Sequence, residues 1–256
     1  MGPGAVRSRP GFRLSRVRIV SALLGLAAAA SLQAAQCVGH SGANTVALVE
    51  LYTSEGCSSC PPADRWLSSL GARGYVPDRV VPLALHVDYR DYTGWKDPHA
   101  KRDFSLRQRK LTQLQRLALV FTPQVMLQGR DFRSWGTAAF DEAVAKINAR
   151  PARARLSLEV VSLKGDALAV RATAEVLDAS QQDAAALYLG VYENRAHDHV
   201  VLEWYGPVAF SAPRLDAERL LPLLPNASPG DSGVVGLVQN RRSAEVLQAL
   251  MLPACP

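Results

Sequence analysis

The sequence predicts an α/β protein in two parts: a thioredoxin-like order of strands and helices over 44–150, then a small β-sandwich-like domain over 152–256. Three observations carry that expectation. A short, β-rich apolar run leads into a Cys-x-x-Cys pair that opens a helix. The elements after it run strand, helix, strand, strand, helix. Beyond Pro151, helical spacing gives way to alternation with period two.

Thr45 to Tyr52 is short and rich in β-formers, as for a strand buried on both faces, and it ends at Thr53-Ser54-Glu55-Gly56. Cys60 to Leu70 reads as a helix. Pro61 and Pro62 are tolerated in its first turn, Asp64 suits the positive end of its dipole, and Trp66, Leu67 and Leu70 form an apolar face. Arg79 to Val87 is a second strand, His86 to Pro98 a polar and aromatic loop, and a basic helical segment runs to about Leu117. Thr122 to Leu127 and Asp131 to Trp135 form a hairpin around Gln128-Gly129-Arg130, followed by a helix from about Thr137 to Ala149.

In the second part, Leu156–Val160 and Leu168–Ala172 alternate around Lys164-Gly165-Asp166. Further strands are expected at Ala186–Glu193, His199–Val208, Gly233–Val238 and Ala244–Leu250, the last equally compatible with a helix. Pro222 to Gly230 reads as an ordered loop.

The first 35 residues read as a cleaved signal peptide. Arg7, Arg9, Arg13, Arg16 and Arg18 precede an apolar stretch from Ile19 to Leu32, with small residues at Ala34 and Ala35. Removing five arginines and no acid takes the net charge from +6 to about +1. The mature chain therefore has no basic bulk for nucleic acid or an anionic membrane surface. No later segment is apolar and long enough to span a bilayer, so no stable membrane anchor is expected after cleavage, and the expected location is periplasmic or secreted.

Four cysteines in an exported chain are expected to pair. Cys57 and Cys60 are neighbours, Cys37 and Cys255 sit at the two mature ends, and although spacing alone does not fix connectivity, a Cys37–Cys255 bridge tying those ends together is the economical candidate for a structural disulfide. Two unpaired terminal thiols are the alternative. Such a bridge would stabilise by roughly 3 to 5 kcal/mol in the chain-entropy account.

Cys57-Ser58-Ser59-Cys60 at a helix start places two sulfurs within bonding reach, and the helix N-terminus favours a thiolate. Cys57 is then the attacking thiol and Cys60 the resolving one. The spacing also suits half a zinc site or an inert disulfide. Thr122-Pro123 falls where a thioredoxin order needs a cis-proline facing the dithiol, with the Thr122 backbone open to an extended substrate; an ordinary trans proline at a strand start is the plainer reading. His86, Asp88, Tyr89 and Trp95 are candidates for the rim of the same cleft, or else strand, cap and covering residues. His197-Asp198-His199 is a weak metal pattern that reads better as a polar hairpin tip, and no metal ligands are assigned.

The runs Val49 to Asp64, His86 to Pro98 and Thr122-Pro123-Gln124 closely resemble a family of secreted bacterial thioredoxin-like proteins catalogued as domain of unknown function 1223. Arg90 stands where that pattern has a bulky aromatic. The resemblance implies a thioredoxin-like fold and export, and it supplies no activity. From the two thiols, the expected function is an exported thiol–disulfide oxidoreductase with protein thiols or disulfides as substrate and no organic or metal cofactor. The alternative is a non-catalytic binding module for a protein partner or a copper ion.

Overall fold

The computed structural model describes residues 1, 2, 4, 37–194, 197–223 and 231–253. Nearly all of the expected signal peptide, most of the loop expected over Pro222–Gly230, and Cys255 lie outside the described residues. In chain order the elements are β1 (Cys37–His40), β2 (Ala47–Thr53), α1 (Pro61–Ser68), β3 (Val80–His86), a 3-10 helix (Asp88–Thr93), α2 (Arg102–Leu114), β4 (Gln124–Leu127), β5 (Arg130–Asp131) and α3 (Ala138–Asn148). They continue with β6 (Ala154–Lys164), β7 (Ala167–Val176), a 3-10 helix (Ala179–Ala184), β8 (Ala185–Glu193), β9 (Val200–Ala209), β10 (Arg214–Pro222), β11 (Ser232–Asn240) and β12 (Val246–Leu252).

Strands dominate this mixed α/β fold. One sheet has the order β12-β11-β8-β9-β3-β2-β4-β5, and a second has β1-β6-β7-β10. β2 pairs parallel with β3 and antiparallel with β4. Side chains alternate across it. Ala47, Val49 and Leu51 of β2 join Ala63 and Leu67 of α1, Phe140 and Val144 of α3, and Leu156 and Leu158 of β6 in one core. Leu48 and Tyr52 point the other way, into a second core with Phe104 and Leu111 of α2. Glu50 shares that second parity and is fully buried. It meets Arg107 of α2, whose Nε donates to Glu50 Oε1 at 2.5 Å.

The boundary expected at 151 is not a boundary of the sheet. β9 pairs parallel with β3, Ala84 N–H donating to the His199 carbonyl at 2.8 Å, so one sheet crosses that position and the described residues from Cys37 onward form one compact unit. The physical reason is an edge: β3 would otherwise leave outer backbone groups unpaired, and β9 meets it at Ala84. Period-two alternation identifies the later strands, and the segment expected as strand or helix over Ala244–Leu250 resolves as strand β12 from Val246 to Leu252, but alternation does not say which edge a strand joins. β1 and the highly charged β10 carried too little apolar pattern to be expected. In β10, Glu218 lies opposite Arg171 of β7, which also pairs with Glu159 of β6, so its cross-strand support is ionic.

Candidate functional site

β2 ends at Thr53, and the next seven residues fold into two tight turns, Cys57 N–H donating to the Ser54 carbonyl at 3.0 Å and Cys60 N–H to the Cys57 carbonyl at 3.1 Å. These turns deliver Cys57 and Cys60 to each other, and the two are joined in a disulfide. Cys60 is the N-cap of α1, and Pro61 and Pro62 occupy its first turn. Two of the N–H groups that a helix start usually presents are therefore missing, which leaves the dipole and side chains to act on the sulfurs. One such side chain is present: Ser59 Oγ lies 3.6 Å from Cys57 Sγ.

Cys57 lines a cleft of about 590 Å³, together with Glu55, Asp64, Arg65, His86 and His197. Cys60, at 0% exposure, lies behind it, whereas Cys57 keeps 2%. Thr53 Oγ1 donates to Asp64 Oδ1 at 2.8 Å, tying strand end to helix. Burial pushes the Asp64 carboxyl above its ordinary range, only partly offset by the Thr53 hydrogen bond and the nearby His86 and His197.

His86 is the last residue of β3 and is buried, its Nδ1 2.7 Å from Asp97 Oδ2. Asp97 also accepts from the backbone N–H of Glu55 at 2.8 Å and of His99 at 2.9 Å. Burial opposes ionisation of Asp97, but the His86 hydrogen bond and charge and these two N–H groups prevail and hold its carboxyl at about 2. His99, its ring 5.3 Å from that of His86, is pushed down by burial and by its neighbour. His197 Nε2 lies 2.6 Å from Glu55 Oε1, at the cleft wall. Among the described residues no three His, Cys, Asp or Glu side chains converge as a metal site.

Of the four expected rim residues only His86 lines the cleft. Asp88 instead accepts from Ser105 Oγ, and Tyr89 donates to Gln108 Oε1 at 3.0 Å, so both fasten the 3-10 helix to α2 on the opposite side of the sheet. Trp95 is 61% exposed and outside the cleft. Thr122-Pro123 is a cis peptide, as the sequence led one to expect, and it immediately precedes β4. Since Tyr52 pairs with Gln124 in antiparallel register, Pro123 lies beside Thr53 at the sheet end from which the cysteine turn departs. Neither residue lines the cleft with Cys57. Cys37 is buried at the start of β1; its expected partner Cys255 is outside the described residues, among which no cysteine is a free thiol.

Three cleft features escaped sequence reasoning. Asp97, within the loop expected over His86 to Pro98 and given no site role there, proves to be the buried partner of His86. His197 read as a hairpin tip and reaches the cleft because β9 docks on β3. Asp64, read only as a helix-start acid, is a cleft carboxyl. For Asp97 a signal existed, since acid and imidazole flank one short loop; for His197, distant in sequence, none did.

A mixed α/β fold with a disulfide at a strand-to-helix turn, opening on a cleft with a buried His–Asp pair, defines the class. The chain belongs to the family described as protein of unknown function DUF1223, which matches residues 48–202 and so spans the position near 151 where a boundary was expected. No curated protein matches it. Among solved structures it is similar to a structural-genomics protein from Agrobacterium tumefaciens, with 24% identity, 84% of this chain and 97% of the other covered, and a TM-score of 0.60. It is also similar to HBP35 of Porphyromonas gingivalis, with 17% identity, 82% and 76% covered, and a TM-score of 0.63. At these identities the likeness is one of fold.

Proposed function

We propose that this chain is an exported thiol–disulfide oxidoreductase of thioredoxin-like architecture that exchanges with protein thiols or disulfides. The observation that carries the reading is the asymmetry of the pair: Cys57 faces the cleft while Cys60 is sealed at the N-terminus of α1. Reduced, the Cys57 thiolate attacks one sulfur of a substrate disulfide, forms a mixed disulfide and releases one substrate thiolate, which takes up a proton. Cys60, having lost its proton, attacks Cys57 Sγ, and the second substrate thiolate leaves. Two electrons have then passed to substrate, and the pair is oxidised as seen here.

His86 suits the proton traffic, because Asp97 occupies Nδ1 and leaves Nε2 for exchange. Asp64, held up by burial in the same cleft, is a second proton acceptor. Pro123 and the Thr122 backbone flank the sheet end from which the dithiol projects, which supports a role in receiving an extended substrate segment. Export rests on the arginine-rich leader sequence; among the described residues no helix is long and apolar enough to cross a membrane.

Paired variants test the reading. Exchange with a chromogenic aromatic disulfide should proceed in the reduced wild type and be lost in Cys57→Ser. Cys60→Ser should accumulate a one-to-one mixed disulfide through Cys57. Unchanged exchange in Cys57→Ser would sink the proposal.

A further inference from the structure

On the opposite side of the large sheet, α2 and the β8–β9 hairpin enclose a second cavity, of about 610 Å³. That volume lies within the range of about 300 to 1,000 Å³ typical of small-molecule sites. Its helical wall is one face of α2: Asp103, Arg107, Lys110, Leu111 and Leu114 recur at helical spacing along it. Tyr188 and Trp204 form the facing wall, their ring centroids 5.9 Å apart.

The floor is locked in place. The Arg107 guanidinium lies 5.0 Å from the Tyr188 centroid and 4.9 Å from that of Trp204, while its Nε donates to Glu50 at 2.5 Å and its Nη2 to Gln239 at 3.1 Å. The buried charge of Arg107 is thus already answered by Glu50, and the two rings are fixed before any ligand arrives. A preformed aromatic wall keeps the ordering cost of binding low.

The mouth is different. Lys110, Arg241 and Arg242 line it and form no ion pair among the described residues; Asp103 is the one acid in the lining. The turn that carries the arginines is anchored, Arg241 N–H donating to the Ala184 carbonyl at 2.7 Å and Arg242 N–H to Asn240 Oδ1 at 2.8 Å. Asn240 Nδ2 in turn donates to Gln181 Oε1 at 2.7 Å. Unanswered cations at the rim of a cavity whose walls include Leu111, Leu114, Tyr188 and Trp204 are complementary to a negatively charged head on a flat apolar body.

We propose that this pocket binds a small aromatic anion, a carboxylate or sulfonate, whose ring system packs against Trp204 and Leu111 and whose charged group meets Lys110, Arg241 and Arg242. The site is independent of the dithiol, since the cleft of Cys57 opens on the α1 side of the sheet.

The probe is 8-anilinonaphthalene-1-sulfonate, titrated into the full mature chain and followed by fluorescence, with calorimetry for stoichiometry. One saturable site per chain is expected. The uncharged analogue N-phenyl-1-naphthylamine should bind at least about tenfold more weakly. The double variant R241E/R242E, at two exposed positions, should weaken the sulfonate by about tenfold or more, and Lys110→Glu by a smaller factor in the same direction. Absence of saturable binding, equal affinity for the neutral analogue, or unchanged affinity in both charge-reversal variants would overturn the proposal. So would displacement of the probe by a glutamate-rich peptide at equimolar concentration, because that outcome assigns the surface to an acidic polypeptide.

Discussion

His86 Nδ1 and Asp97 Oδ2 lie 2.7 Å apart, with both side chains buried and His86 lining the cleft. Because Asp97 also accepts from the backbone of Glu55 and His99, this one carboxylate fastens the end of β3, the turn leading to Cys57 and the loop before α2. Its carboxyl is held at about 2 rather than 3.8. A carboxyl depressed in the folded state stabilises above its unfolded pKa and loses that contribution as pH falls through the folded value. Asp97→Asn should therefore unfold in urea about 2 kcal/mol more easily than wild type at pH 7. The gap should shrink as pH falls from about 4 towards 2, and a gap of constant size across that window would contradict the assignment.

Glu50 and Arg107 form a buried pair between β2 and α2, at 0% and 7% side-chain exposure. Removing one charge leaves the other largely buried without its counter-charge. Glu50→Gln should cost about 3 kcal/mol or more in chemical denaturation, and the double variant with Arg107→Met should recover a large part of that loss. Equal losses in the single and double variants would show that the pair matters only as packing.

Ser59 Oγ contacts Cys57 Sγ at 3.6 Å, at a helix start where two prolines have removed N–H donors. In the reduced protein the hydroxyl can donate to the Cys57 thiolate. A hydrogen bond of about 1 kcal/mol corresponds to a thiol pKa about 0.7 unit higher in Ser59→Ala. The pH profile of iodoacetamide alkylation reads this directly, and an unshifted profile would remove the hydroxyl from the site.

Cys37, buried in β1, is expected to bridge to Cys255. Non-reducing peptide mapping should recover a Cys37–Cys255 linked fragment. Replacing both by serine should lower stability by roughly 3 to 5 kcal/mol while leaving exchange through Cys57 intact. Recovery of either cysteine as an alkylatable thiol in the oxidised protein would contradict the pairing.

The strand, cysteine turn and helix from Ala47 to Ser68 were legible because local chemistry sets them: β-formers, a Cys-x-x-Cys pair, prolines where a helix tolerates them and an apolar face. Thr122-Pro123 was legible for the same reason, its place in the element order being readable without tertiary knowledge. The joining of β9 to β3 was not, because edge pairing is satisfied by backbone groups that every residue carries. With that pairing hidden, His197 could not be brought to Glu55, nor Tyr188 and Trp204 to Arg107. Tyr89 and Trp95 misled because an aromatic loop beside a dithiol looks like a rim, whereas the turn of the 3-10 helix sends Tyr89 to Gln108 and leaves Trp95 in solvent.

The most direct test of the redox reading is a titration of the Cys57–Cys60 pair against defined thiol–disulfide buffers, with the reduced fraction counted by alkylation and mass. The proposal predicts one reversible two-electron transition with a midpoint above about −300 mV, the region where exchange-active pairs lie. A pair that remains oxidised well below about −300 mV would be a structural disulfide and would contradict it.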